Sequence, residues 1–158
     1  IRSTGTQTAL ASASPVPLAA SLLSTLMEFQ NEIFSKVLSK EEYKASFEEI
    51  IQVLSNHQCK EVDILFGVAW GNEYKSWTPF SVPVDTIAQE ITIAEQLEVG
   101  RFGSDDFYLI LNALQTEILF CHELDIHLRY NQENTIIQDI LQSWETKELI
   151  QERRTNSG

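Results

Sequence analysis

The spacing of apolar residues changes near residue 60, and that change decides what the chain can become. Before it, Leu22, Leu26, Phe29, Ile33 and Val37 recur in steps of 4, 3, 4 and 4, the spacing of one helical face. After it, Val62, Ile64, Phe66, Val68 and Trp70 alternate with Asp63, Leu65, Gly67 and Ala69. Strict alternation puts one set on each side of a strand. A chain that does both is an α+β chain.

The remaining elements follow from local chemistry. Ser39 and Glu42 form a capping box that opens a second helix with Tyr43, Phe47, Ile50 and Leu54 inward, and Asn56 is its stop. "GNE" at 71–73 is a turn, and "YKSWTPF" predicts a partner strand that Pro79 keeps short or at an edge. Pro83 and Asp85 open a third helix carrying Ile87, Ile91, Ala94 and Leu97, which Gly100 ends. "FYLIL" reads as a strand, "NALQTE" as a loose connection, and residues 117–130 as one more alternating strand. Asn134 caps a last helix with Ile136, Ile137, Ile140, Leu141 and Trp144 on its inner face. The predicted order is ααββαββα: an N-terminal helix pair and an antiparallel sheet of about four strands. One domain is expected over 18–151, between a flexible leader (1–17) and a loose tail (152–158).

Charge narrows the partners. With 23 acidic and 11 basic residues the formal net charge is −12. Such a field repels phosphate backbones and anionic membrane surfaces, which disfavours nucleic acid and membrane binding and favours a basic or amphipathic protein partner. No apolar run reaches the roughly 18 residues a membrane-spanning helix needs. Cys59 and Cys121 stand outside any CxxC pair, which suits reduced thiols and a cytoplasmic location, with one long-loop disulfide still open. No GxGxxG, GxxxxGK[ST] or GxSxG occurs, so neither a cofactor nor a catalytic residue is expected.

One stretch concentrates reactive groups: "CHELDIH", residues 121–127. The zinc motif HExxH needs histidines four apart on a helix. His122 and His127 are five apart, which leaves the second ring roughly 140° around from the first. Read as a strand, the segment sends its neighbours to opposite sides. His122 joins Ile118, Phe120, Leu124, Ile126 and Leu128 in an apolar row, while Glu123, Asp125, His127 and Arg129 form a charged row. That row is either a solvated face with internal ion pairs or a surface for basic groups. A composite zinc set of His57, Cys59, Cys121 and His122 fails because adjacent strand residues diverge, so no metal is expected. "SDD" at 104–106 reads as a turn or cap.

These features predict a non-enzymatic, acidic protein-binding domain, of inhibitor, immunity or chaperone-like adaptor type. Glu123 and Asp125 would meet Lys or Arg of the partner, with His127 and Arg129 beside them. The element order over roughly 59–151 resembles the small acidic chaperones of type III secretion, a resemblance of topology that implies a dimeric α+β fold. The alternative is a small-ligand-binding domain or enzyme in which Trp70, Tyr74, Trp77 and Phe80 line a pocket, with His127 and a neighbouring carboxylate for acid–base work. A homodimer through an exposed stripe of the first or last helix is a third expectation.

Overall fold

The computed structural model describes residues 28–66, 78–98 and 100–156. Two of its helices start where polar caps satisfy the first free backbone N–H groups. At α1 (Lys40–Asn56) the Ser39 Oγ accepts from the Glu42 N–H at 3.1 Å, and Glu42 Oε1 accepts from the Ser39 N–H at 3.0 Å. At α3 (Thr135–Thr146) the Asn134 side chain accepts from the Ile137 N–H at 3.0 Å. Both helices bury the stripes read from the sequence. Between them α2 (Ile87–Gln96) follows a 3-10 turn at Val84–Thr86.

The helices pack on one face of a seven-stranded antiparallel sheet. Its strands are β1 (Asn31–Ser35), β2 (Glu61–Phe66), β3 (Phe80–Pro83), β4 (Phe107–Leu111), β5 (Thr116–Phe120), β6 (Ile126–Tyr130) and β7 (Ile150–Thr155). They lie in the order β3-β2-β4-β5-β6-β1-β7. Ile33, Ile64, Leu109, Ile118, Ile126 and Leu128 are among the strand residues that share one core with the helices. Alternation sends Glu32, Phe34, Tyr108, Glu117, His127 and Arg129 to the other face.

This corrects the predicted ααββαββα order and its four-stranded sheet. The expected first helix is a strand over 31–35, flanked by β6 and β7. Phe29, Ile33 and Val37 are separated by four, an even number, so a strand puts them on one side as readily as a helix does. Leu22 and Leu26 lie outside the described residues. The single strand expected over 117–130 is a hairpin, β5 and β6, paired from Thr116↔Tyr130 to Phe120↔Ile126. The loose tail expected from 152 carries most of β7, an edge strand whose exposed Glu152, Arg153 and Arg154 suit an unpaired border. Among the described residues the order opens and closes on a strand and sets three consecutive strands before the last helix, so the order that carried the resemblance to type III secretion chaperones does not hold. The apolar stripe of α3 is consumed by the core.

Among the described residues no helix is long and apolar enough to cross a membrane.

Candidate functional site

The turn joining β5 to β6 reverses the chain inside the very stretch expected to run straight. The Cys121 N–H donates to the Asp125 carbonyl at 2.9 Å, and the Leu124 N–H donates to the Cys121 carbonyl at 3.0 Å. Leu124 takes φ 68°, the left-handed conformation of a three-residue hairpin loop that usually selects glycine. The conformation costs a leucine about 1–2 kcal/mol. Its side chain packs against the core, and its carbonyl accepts from the Leu38 N–H at 2.9 Å.

Reversal gathers what a straight strand would splay. Cys121 continues the open-face row of Glu117 and Leu119, and Asp125 stands opposite it on the returning strand. Asp106 enters from the start of β4, on the same side as Tyr108. The Cys121 thiol is then common to two three-residue groups, Asp106–Cys121–His122 and Cys121–Asp125–His127, and within each group the possible ligand atoms lie within 4.8 Å of one another.

The two groups differ in how well their polar atoms are satisfied. Asp106 Oδ1 accepts from both the backbone N–H of His122 at 2.8 Å and the ring Nδ1 at 2.7 Å. That hydrogen bond and the charge of Asp106 raise the pKa of His122, whose side chain is 54% exposed. In the other group His127 Nε2 stands 2.9 Å from Asp125 Oδ2, but Asp125 Oδ1 and His127 Nδ1 are buried without a hydrogen-bond partner. Glu32 Oε2 is 3.4 Å from that Nδ1, outside hydrogen-bond geometry. Burial, with Asp125 and Asp106 nearby, pushes the Cys121 thiol up to about 12. At neutral pH it is a protonated thiol, not a nucleophile.

The predicted site residues fare unevenly. Glu123 is exposed at the hairpin tip. Asp125 and His127 pair with each other, and Arg129 bridges Glu32 at 2.8 Å and Glu117 at 2.7 Å. The expected charged row therefore meets its own counter-charges across β1, β6 and β5. His122, expected in the core, points outward to Asp106. Trp70, Tyr74 and Trp77 lie outside the described residues. The composite zinc set is not assembled: His57 bonds Asp139 at 2.6 Å and the Cys59 thiol reaches the Glu61 carbonyl at 3.5 Å, and both cysteines are free. Within "SDD", Asp105 caps its turn by accepting from the Arg101 N–H at 2.8 Å. Its neighbour Asp106 belongs to the thiol cluster, which becomes visible only once the hairpin is closed.

A second feature lies on the helical side. A cavity of about 640 Å³ runs between α1 and α2, bordered by residues 101–104 and Leu124. Tyr43, Phe47 and Phe102 supply its aromatic floor, with Phe102 4.8 Å from Phe47 and 5.1 Å from Tyr43 between ring centres. Lys40, Lys44 and Arg101 stand around it. Among the described residues none of these three cations has an ion-pair partner, nor do Lys36 and Lys60 elsewhere, whereas Arg129, Lys147, Arg153 and Arg154 all do. Of the two carboxylates at the rim, Glu95 is held by the Phe102 N–H at 3.0 Å, and Glu48 lies one helical turn beyond Lys44.

Comparison with protein-family models, curated proteins and solved structures finds no match for this chain.

Proposed function

We propose that this is a non-enzymatic protein-binding domain whose groove between α1 and α2 takes an acidic, amphipathic segment of a partner protein. The observation that carries this reading is the concentration of three unpaired cations, Lys40, Lys44 and Arg101, around an aromatic floor in a chain of net charge −12. Charges more than a screening length of about 8 Å away are largely masked at physiological salt. The local rim, not the distant acidic surface, then governs what settles into the groove. Carboxylates of the partner would meet the rim while its apolar side chains cover Phe102 and the neighbouring helix faces.

The net charge and the exposed Glu123 favour a second reading, a basic partner on the acidic surface. Two synthetic helical peptides with one apolar stripe, bearing Glu or Lys on the polar side, separate the readings by fluorescence anisotropy. The acidic peptide should bind, and Lys44→Glu with Arg101→Glu should weaken it about tenfold or more, a loss of about 1.4 kcal/mol. Preference for the basic peptide, unmoved by that double reversal, overturns the groove reading.

A further inference from the structure

We propose that Cys121, Asp125 and His127 form a zinc-binding site on the open face of the sheet, with a fourth coordination position left to water. Thiolate, carboxylate and imidazole are the ligand types zinc takes, and three protein ligands with one open position is a recurrent arrangement. The hairpin supplies all three from adjoining ends of β5 and β6, with their ligand atoms within 4.8 Å of one another. In a tetrahedral site sulfur and nitrogen ligands stand about 3.5 Å apart. Side-chain rotations at the ends of two paired strands suffice to close that difference.

The choice of this group over Asp106–Cys121–His122 rests on an unmet polar atom. Asp106 Oδ1 already takes two hydrogen bonds from His122, and that ring opens to solvent. Asp125 Oδ1, by contrast, is buried and unpartnered, a condition that costs free energy unless something else binds there. A metal on His127 Nε2 would leave Nδ1–H directed to a carboxylate, the usual outer-shell partner of a zinc-bound histidine. Glu32, 3.4 Å away and fixed by Arg129, stands in that place. Binding exchanges the thiol proton for the metal: the S–H bond breaks, an S–Zn bond forms, the proton goes to solvent, and zinc sheds bound water.

The test uses the full chain stripped with a chelator and titrated with Co²⁺, which reports a thiolate ligand by its sulfur-to-metal charge-transfer absorption. One equivalent should produce the band, and Zn²⁺ should bleach it. Cys121→Ser should abolish it, and His127→Gln or Asp125→Asn should weaken binding about 100-fold or more. Glu32→Gln should weaken it about 10-fold to 100-fold. His122→Gln and Cys59→Ser should leave the band in place, with circular dichroism showing each variant folded. Absence of the band in the parent chain overturns the site. Loss in His122→Gln with retention in His127→Gln does so too, since it moves the metal to the Asp106 side.

Discussion

The hydroxyl of Tyr43 donates to the carbonyl of Cys121 at 3.0 Å, across 78 residues of chain and inside the core. One side chain therefore forms part of the groove floor and also pins the base of the hairpin that gathers the thiol cluster. Burial, first, and the Cys121 and Asp106 groups beside it raise the pKa of this phenol well above its ordinary value, so it stays a donor throughout the working range. Tyr43→Phe keeps the ring and removes the donor. It removes one of the two hydrogen bonds that the Cys121 carbonyl accepts, the other coming from the Leu124 N–H, and should cost about 0.5–1.5 kcal/mol in urea unfolding. A change within about 0.3 kcal/mol would show that the bond does not hold the hairpin.

Arg129 joins two carboxylates of unequal burial: Glu117 has a side chain 4% exposed, and Glu32 one that is 26% exposed. Arg129→Met removes the guanidinium that bridges the buried Glu117 carboxylate and should destabilise the fold by about 3 kcal/mol, the low end for a broken buried pair because Arg129 itself reaches solvent. Adding Glu117→Gln should recover much of that loss. A cost under about 1 kcal/mol for the single variant would place the bridge among surface pairs.

Helix α3 ends in a left-handed residue that is not glycine. Glu148 has φ 56°, its N–H donates to the Glu145 carbonyl at 3.1 Å, and the Leu149 N–H reaches the Trp144 carbonyl at 2.8 Å. This is the double bond pattern of a Schellman cap. Glu148→Gly should stabilise by about 1 kcal/mol, since it removes the side-chain clash and an acidic group at the negative end of the helix. Glu148→Ala, which keeps the clash, should give little of that gain. Equal gains in thermal unfolding would assign the effect to charge alone.

The same absence of glycine explains where sequence reasoning stopped. Caps are local chemistry, so Ser39 with Glu42, and Asn134, mark their helices in the sequence and in the structure alike. Apart from the turn at Gly103, the positive-φ ends and reversals among the described residues fall on Gln58, Glu98, Gln115, Leu124 and Glu148, and none of these types announces a turn. Leu124 hid the hairpin, and with it the meeting of Cys121, Asp125 and His127. The residue types of the site were legible in "CHELDIH"; their convergence, and the part of Asp106 and Glu32, depended on pairings between distant strands. Strand β1 hid behind four-residue steps that fit either period, and β7 lacks a buried row to reveal it.

The chain doubles back at residues 122–124, and proton NMR reads that directly. Ile126 sends its N–H outward to the Ser35 hydroxyl at 2.9 Å, so Phe120 and Ile126 form a pair without mutual backbone bonds, the closely spaced kind in an antiparallel ladder. A strong Hα–Hα Overhauser effect between Phe120 and Ile126 is the predicted result. Its absence, with only sequential contacts running from 117 to 130, would mean a straight strand, and the thiol cluster would dissolve with it.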